Sequence, residues 1–266
     1  MNFNLKSEPN NQYPEVEYSL SFPKFSMTDI MREINRLDNK KSVGNSVIPT
    51  NVIKKCPVFV KILYIFFMDI VYKREIPKKL KISEITPVLK SGKPKEKITS
   101  YRPVTVTNII LKLFEILMLN NLITFITSHK ILNPSQYGFR KKSSTETYLR
   151  DFLYFVSNSF NDINVKYVDI IFLDMSNAFD SIPHGMLLNK LKLIGIKGCF
   201  LHLIKSFLDY RKQYVKYNTI KSELCDITSG TPQGGYYPRL FSIYLLMICL
   251  MFVNLLKLCS MQMTRH

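Results

Sequence analysis

The sequence predicts a mixed α+β fold in which an antiparallel sheet packs against helices. In several segments of the 266-residue chain, apolar residues recur at helical spacing. Other segments alternate apolar and polar residues, as half-buried strands do. The two kinds of segment alternate along the chain without an internal repeat. A hydrophobic content of 46% argues against general disorder.

The N-terminal part of the chain predicts a helical region after a polar lead-in. Residues 1–22 are rich in Asn, Pro and Glu and predict a loose segment. Ser26 and Asp29 have the spacing of a capping box, and Ile30 and Ile34 follow at helical intervals. The sequence therefore predicts a short amphipathic helix there, followed by one or two buried helices within residues 49–77.

The remaining elements follow from the same two patterns and from Gly/Pro-containing turns. Residues 82–108 predict two β segments joined by a basic loop, and residues 109–132 predict a long helix. Further elements are a basic loop (133–145), a helix (146–160), a strand running into a turn (166–184), helices (185–212), strands (213–230) and a tight loop (231–235).

Charge and cysteine content narrow the possible partners and compartments. A formal net charge of +17 suits a polyanion, either nucleic acid or an anionic membrane surface. The five cysteines are scattered without a C-x-x-C pair, and the four histidines do not cluster with them. This pattern argues against a zinc site and a disulfide framework, and it favours a reducing compartment. No secretory signal is evident, so we expect a nuclear or cytoplasmic protein.

The candidate catalytic residue is Asp174, in the segment VDIIFLDMSNAFDSI. A β-rich run ends at this aspartate, and a carboxylate at a strand end is a good oxygen ligand for Mg²⁺. For an isolated aspartate, a solvated or turn-capping role is the alternative. Asp180 also suits a capping role in the turn that follows.

The segment around Asp174 resembles the first catalytic motif of reverse transcriptases, in the form used by non-LTR retrotransposons such as the jockey-like and RTE-like elements. Four further segments resemble this family in the same order along the chain, which makes the combined match far more specific than any one motif. These segments are LDNKKSVGNSVIPTNVIKKC, VLKSGKPKEKITSYRPVTVTN, ILNPSQYGFRKKSSTE and DITSGTPQGG. The family's usual Gly-Pro-Asp-Gly is replaced here by Gly-Asn-Ser-Val at residues 44–47.

The resemblance implies a role for each matching residue. Asp174 would be catalytic and would bind the metal, and Lys90 and Arg102 would meet the triphosphate of the incoming nucleotide. Phe179 would clash with a ribose 2′-OH and so select deoxynucleotides. Gln233 would lie near the nascent base pair. The alternatives are solvated surface charges for Lys90 and Arg102, a core phenylalanine for Phe179, and an ordinary turn for the segment of Gln233.

Arg140, Lys141 and Lys142 would line the path of the template backbone, for which a generic basic loop is the alternative. The resemblance divides the chain into a polar lead-in (1–22), a helical pre-fingers region (23–80), reverse transcriptase fingers and partial palm (81–244), and a hydrophobic tail (245–266). It implies a right-hand polymerase architecture in which the thumb is absent.

The family's second metal-binding motif, an aromatic-Ala-Asp-Asp turn, is missing. After Tyr244 the sequence contains no Asp or Glu. A shifted reading frame restores this turn, if each new codon takes the third base of one present codon and the first two bases of the next. In that frame Met261–Gln262 encodes Ala and Met263–Thr264 encodes Asp, whatever synonymous codons are used. In the same frame Gln262–Met263 can encode Asp, and Ser260–Met261 can encode Tyr.

The same shift converts Met247–Ile248 into Asp and permits the family's usual Ile-Asn-Asp-Leu-Pro across residues 245–250. We therefore interpret residues 245–266 as out-of-frame translation that begins just after Tyr244. This hypothesis competes with a membrane anchor, because residues 240–256 carry no charged side chain and reach the short limit for a membrane span.

The sequence as a whole predicts a fragment of a retrotransposon RNA-directed DNA polymerase. The resemblance implies an RNA template, a DNA primer, deoxynucleoside triphosphates and Mg²⁺, although the metal site is incomplete. We expect the chain as written to be inactive. A non-catalytic basic RNA-binding remnant and a protein held at membranes by residues 240–256 are the alternatives.

Overall fold

A computed structural model describes residues 17–38, 48–132, 137, 143–163, 165–170, 172 and 183–230. These residues form helices and one sheet, as expected for an α+β fold. The α-helices are α1 (Met27–Asn35), α2 (Thr50–Lys55), α3 (Val58–Lys73), α4 (Ile109–Ser128), α5 (Thr145–Ser159), α6 (His184–Leu193) and α7 (Gly198–Leu208). The strands are β1 (Ile82–Leu89), β2 (Tyr101–Val106), β3 (Arg211–Tyr217), β4 (Ile220–Lys221) and β5 (Cys225–Ile227), with 3-10 helices at Lys78–Lys81 and Ile98–Ser100.

The sheet has the strand order β2-β1-β3-β4, and β5 also pairs with β3. The β1–β2, β3–β4 and β3–β5 pairs are antiparallel, as the sequence predicts. The β1–β3 pair is parallel, with Ile82 opposite Lys212, so the expectation of a purely antiparallel sheet is wrong. Strand β2 and helices α4 to α7 lie between β1 and β3 in the chain. Because β2 reverses the direction of β1, and the helical connection reverses it again, β3 runs parallel to β1.

Helix α4 lies at the centre of the hydrophobic core. Its side chains pack among those of α1, α3, α6 and α7, and the ring centroids of Phe67 and Phe114 are 5.3 Å apart. By length and composition α4 could cross a membrane, but 72% of its apolar stretch is buried inside the protein. It is therefore the core helix of this fold, and the apolar run 240–256 lies outside the described residues.

Helix α1 begins with the capping box that its sequence predicts. The Ser26 hydroxyl accepts a hydrogen bond from the Asp29 amide at 3.2 Å, and the Ser26 amide donates to the Asp29 carboxylate at 2.8 Å. The hydrogen bond from the Ser26 side chain lowers the pKa of Asp29. Ile30 and Ile34 are buried, which confirms the predicted apolar face.

Residues 17–22 fall within the predicted polar lead-in, and they pack on the helices. The Leu20 amide donates to the Gly195 carbonyl at 2.9 Å, and the Lys197 amide donates to the Leu20 carbonyl at 3.1 Å. The Tyr18 ring lies edge-on to Phe125, with centroids 5.7 Å apart. This part of the segment is therefore fixed against α4 and the α6–α7 turn.

The strand predicted before Asp174 is not formed in the residues that the structure describes. Residues 165–170 and 172 belong to no regular strand, and the Tyr167 and Phe172 side chains are exposed. A β-rich run provides a suitable pattern, but a strand also needs a hydrogen-bonding neighbour. No such neighbour pairs with 165–170 within the described ranges.

Candidate nucleotide-binding and template-binding site

Lys90 lies at the end of β1, where the β1–β2 hairpin opens into its loop. Its amide donates to the Ser100 carbonyl at 2.8 Å, which extends the hairpin by one residue pair. Its ammonium donates to the Thr99 carbonyl at 2.9 Å. Because an ammonium has three donors, two remain for another acceptor, such as a phosphate oxygen.

Arg102 lies on β2 directly opposite Val88. Residues two apart on a strand share a face, so Lys90 is on the same face of the hairpin as Val88 and therefore as Arg102. Arg102 and Val88 are both exposed there. The hairpin thus presents an ammonium and a guanidinium as diagonal neighbours on one solvent-facing surface, an arrangement that suits a polyphosphate.

The loop that joins β1 to β2 adds more positive charge. It runs through Lys93, Lys95 and Lys97, all exposed. Gly92, with φ +72°, and a hydrogen bond from the Lys93 amide to the Lys90 carbonyl at 3.2 Å form its first turn. The Tyr101 hydroxyl donates to the Lys95 carbonyl at 3.1 Å and ties the loop back to β2.

A buried polar pair supports the hairpin from the neighbouring strand. The Tyr214 hydroxyl on β3 donates to the Glu84 carboxylate on β1 at 2.8 Å. Burial, together with the hydrogen bond to Glu84 and the charge of Glu84, raises the pKa of Tyr214 to about 12. The Lys216 ammonium lies 3.8 Å from Glu84. These contacts fix the register of the parallel pair that carries the hairpin.

A second buried polar cluster is formed by residues of α4 and β3, and none of its members was among the predicted site residues. Burial raises the pKa of Glu115 on α4 to about 7, against the opposing charges of Arg211 and Lys112. Its Oε1 atom has no hydrogen-bond partner among the described residues. The available signal was a charged pair, Lys112 and Glu115, inside an otherwise apolar helical run.

The structure also fixes the chain just after the undescribed part of the Asp174 segment and just before the undescribed Pro-Gln-Gly residues. Pro183, nine positions after Asp174, forms an antiparallel bridge with Ser229. The His184 Nε2 atom lies 2.9 Å from the Gly230 carbonyl, three positions before Gln233, and donates to it as the Nε2–H tautomer. The end of the Asp174 segment and the beginning of the Pro-Gln-Gly loop are therefore held side by side.

Tyr137 is the described residue of the Gln-x-Gly-Phe-Arg segment. Its hydroxyl donates to the Asp151 carboxylate of α5 at 2.8 Å, and this hydrogen bond lowers the pKa of Asp151. The Tyr137 and Tyr148 rings are 5.4 Å apart. Tyr137, which lies three positions before the basic triplet, is thus attached to α5.

Six of the eight predicted site residues lie outside the described residues. The structure places Lys90 and Arg102 on the same face of one hairpin, but it does not test the role of either residue. Within the described part of the chain, no group of three or more His, Cys, Asp or Glu side chains could hold a metal ion. The residues outside it are Asp174, Phe179, Gln233, Arg140, Lys141 and Lys142.

Comparison with known proteins identifies the family. Residues 92–250 match the family model described as reverse transcriptase (RNA-dependent DNA polymerase). The chain is 30% identical over 240 residues to the RNA-directed DNA polymerase from mobile element jockey of Drosophila melanogaster, covering 88% of this chain and 26% of that protein. It is 29% identical over 231 residues to the probable RNA-directed DNA polymerase from transposon BS of the same organism, covering 86% and 25%.

A third relative is the probable RNA-directed DNA polymerase from transposon X-element of Drosophila melanogaster, 28% identical over 232 residues. The chain spans about a quarter of the length of these relatives. The family match covers more than half of the chain and includes Arg102, Asp174 and Gln233. Together with the retrotransposon relatives, it shows that the chain belongs to the reverse transcriptase family, as a reverse transcriptase domain of the non-LTR retrotransposon type.

Proposed function

We propose that this chain is the fingers and part of the palm of a retrotransposon RNA-directed DNA polymerase. The intact enzyme would add deoxynucleotides to a DNA primer on an RNA template. The observation that carries this proposal is the pairing of Lys90 and Arg102 on one exposed face of the β1–β2 hairpin. In a member of this family, that face is the expected position of the incoming triphosphate.

Each side chain at the proposed site has a separate task. Arg102 binds phosphate oxygens through a planar group with several donors, and Lys90 supplies a point charge next to it. Phe179 excludes a ribose 2′-OH by its bulk, and Gln233 contacts the nascent base pair through its amide. Arg140, Lys141 and Lys142 hold the template through its phosphates, which orients the strand without reading its sequence.

We propose further that the chain as written does not polymerise. The family uses divalent metal, and two-ion catalysis needs carboxylates from two strands. This sequence supplies Asp174, and the region 245–266, where the second pair would follow, has no carboxylate side chain. The residues present therefore do not fit a two-ion site, and no catalytic step is assigned to them.

A shifted reading frame after Tyr244 accounts for the missing carboxylates. The next frame restores Ala and Asp at residues 261–264 and a further Asp at 247–248, as the codons of these residues require. Sequencing the genomic locus and its transcripts across the Tyr244 codon tests this proposal. We expect Asp-Asp codons in the alternative frame, and a locus without them in any frame would exclude it.

Nucleotide binding tests the proposed triphosphate contact without requiring catalysis. We expect Lys90→Gln and Arg102→Gln each to weaken binding of a fluorescent deoxynucleoside triphosphate by about tenfold, because each removes a charge-assisted contact. Arg102→Lys should recover part of the affinity, since it keeps the charge and loses the fork geometry. Lys61→Gln, at an exposed position on α3, is the matched control. Equal affinities for the Lys90 and Lys61 variants would refute the assignment.

A non-catalytic RNA-binding remnant is the second candidate, and the exposed lysines of the hairpin loop favour it. Such a remnant keeps its basic surface without the chemistry. It predicts salt-sensitive RNA binding that persists in Asp174→Ala. Binding that requires Asp174 would instead link the RNA contact to the catalytic centre.

A further inference from the structure

A second basic surface lies at the opposite end of the sheet from the hairpin tip. Because β1 and β3 are parallel, the chain enters both strands at the same end of the sheet. The 3-10 helix Lys78–Lys81 precedes β1, and Tyr210 precedes β3. The eight residues of β1 place this end about 26 Å from the hairpin tip. It is therefore distinct from the Lys90–Arg102 face.

Tyr210 has a backbone conformation that its side chain does not favour. It follows the C-cap of α7, Asp209, and has φ +56°. Glycine usually occupies this position after a helix, and a bulky residue with positive φ is an outlier. The ring is not held in a core, since Tyr210 is 71% exposed. The same left-handed backbone follows α3 at Arg74 and occurs near the end of α4 at Lys130, so it belongs to the turns that end these helices. At Tyr210 this turn leaves the ring accessible.

Two lysine ammonium groups accompany the exposed ring. The Lys78 Nζ atom is 5.0 Å from the Tyr210 ring centroid, and the Lys81 Nζ atom is 5.8 Å from it. Lys81 is fixed in place, because its ammonium donates to the carbonyls of Ser206 at 2.8 Å and Asp209 at 2.9 Å. An exposed aromatic ring with cations beside it is suited to base stacking combined with phosphate contact.

The charge balance of this end of the sheet is positive. The Asp209 and Glu75 carboxylates raise the pKa of Lys81 in part, although burial lowers it overall. The positive charges of Lys78 and Arg211 also lower the pKa of Lys81. Lys79 is exposed on the same 3-10 helix and adds a further cation. The cations therefore exceed the carboxylates around Tyr210.

We propose that Tyr210, Lys78 and Lys79 form a docking surface for single-stranded RNA, in which an unpaired base stacks on Tyr210 and the lysines contact the flanking phosphates. The choice of RNA among polyanions rests on the proposed function. An exposed ring favours an unpaired strand, because the bases of a duplex are already stacked on one another. The surface would hold template at a distance from the nucleotide contact.

Equilibrium binding of the full chain to a labelled unpaired RNA, and to the same RNA annealed to its complement, tests this surface. Tyr210→Asn is the informative variant, because asparagine tolerates the positive φ that alanine would strain. We expect it to weaken single-stranded binding by about tenfold and to leave duplex binding unchanged, while Tyr210→Phe keeps the wild-type affinity. Lys78→Gln and Lys79→Gln should each reduce the slope of log affinity against log salt by about 0.7.

Tyr154→Ala and Lys61→Gln are controls at exposed positions on α5 and α3, and neither should change RNA affinity. Unchanged single-stranded binding by Tyr210→Asn, equal losses on single-stranded and duplex RNA, or no RNA binding by the wild-type chain would each overturn the proposal. The assay contains no nucleotide, and the Lys90 and Arg102 assay contains no RNA. Failure of one proposal is therefore distinguishable from failure of the other.

Discussion

Helices α4 and α5 are both rich in apolar residues, yet their surroundings differ. Most of the 20 residues of α4 are buried, including a charged pair, whereas none of the 15 residues of α5 is buried. The apolar side chains of α5 contact a few aromatic neighbours, such as Phe172, whose ring is 6.1 Å from that of Phe152. Apolar composition alone therefore does not decide whether a helix is buried.

The contrast separates two parts of the molecule. The helical body around α4 is stabilised by a continuous core. Helix α5, which precedes the Asp174 segment, is stabilised within the described residues mainly by its cap, the Tyr137–Asp151 hydrogen bond and ring contacts. We infer that mutations in the two helices have very different effects on stability.

The largest expected effect is on α4. Phe114→Ala should lower the free energy of unfolding by about 3–5 kcal/mol, because it removes a fully buried ring and leaves a cavity. Phe155→Ala on α5, where the ring is exposed, should cost less than about 1 kcal/mol. Urea denaturation of both variants measures the difference, and similar losses would contradict the contrast between the helices.

The next effect depends on pH and concerns the buried carboxyl of α4. Burial raises the pKa of Glu115 from 4.5 to about 7. A raised pKa in the folded state favours folding at low pH, and this stability is lost as pH rises from about 4.5 through about 7. Over that window the loss is about 3 kcal/mol.

Glu115→Gln should remove this pH dependence. We expect the unfolding free energy of the variant, relative to wild type, to increase by about 3 kcal/mol between pH 4.5 and pH 8. Denaturant titrations across this pH range measure it. A constant difference between the two proteins would mean that Arg211 and Lys112 keep Glu115 ionised throughout.

The elements of the helical body could be predicted because their signals are local. The spacing of Ser26 and Asp29 predicted the α1 capping box, and the turn between Lys90 and Arg102 predicted the hairpin. Local patterns cannot specify which distant strands pair. The parallel β1–β3 contact joins residues about 130 positions apart, and the sequence analysis did not foresee it.

The candidate site could be predicted only where its residues belong to local sequence motifs. Lys90 and Arg102 share a face because both belong to one hairpin, whereas the His184–Gly230 hydrogen bond joins segments 46 positions apart and had no local signal. The same holds for Tyr210 with Lys78. Their proximity follows from the parallel pairing, so it was accessible only from the fold.

A smaller effect than those on α4 is expected at the start of α5. The Ser144 hydroxyl accepts a hydrogen bond from the Thr147 amide at 3.1 Å. Ser144→Ala should cost about 1 kcal/mol, as is typical for loss of an N-cap. Hydrogen exchange should show the loss as faster exchange confined to α5. If exchange accelerates equally in α4, the two helices unfold as one unit and the contrast is lost.

Primer extension by the purified chain tests most directly the central proposal, namely that this reverse transcriptase domain lacks the second of its two metal-binding motifs. The assay uses an RNA template, a DNA primer, deoxynucleoside triphosphates and either Mg²⁺ or Mn²⁺. We predict no template-dependent synthesis by the chain as written, and synthesis by a variant whose residues from 245 onward follow the alternative frame and its downstream sequence. Template-dependent synthesis by the unmodified chain that disappears in Asp174→Ala would contradict the account.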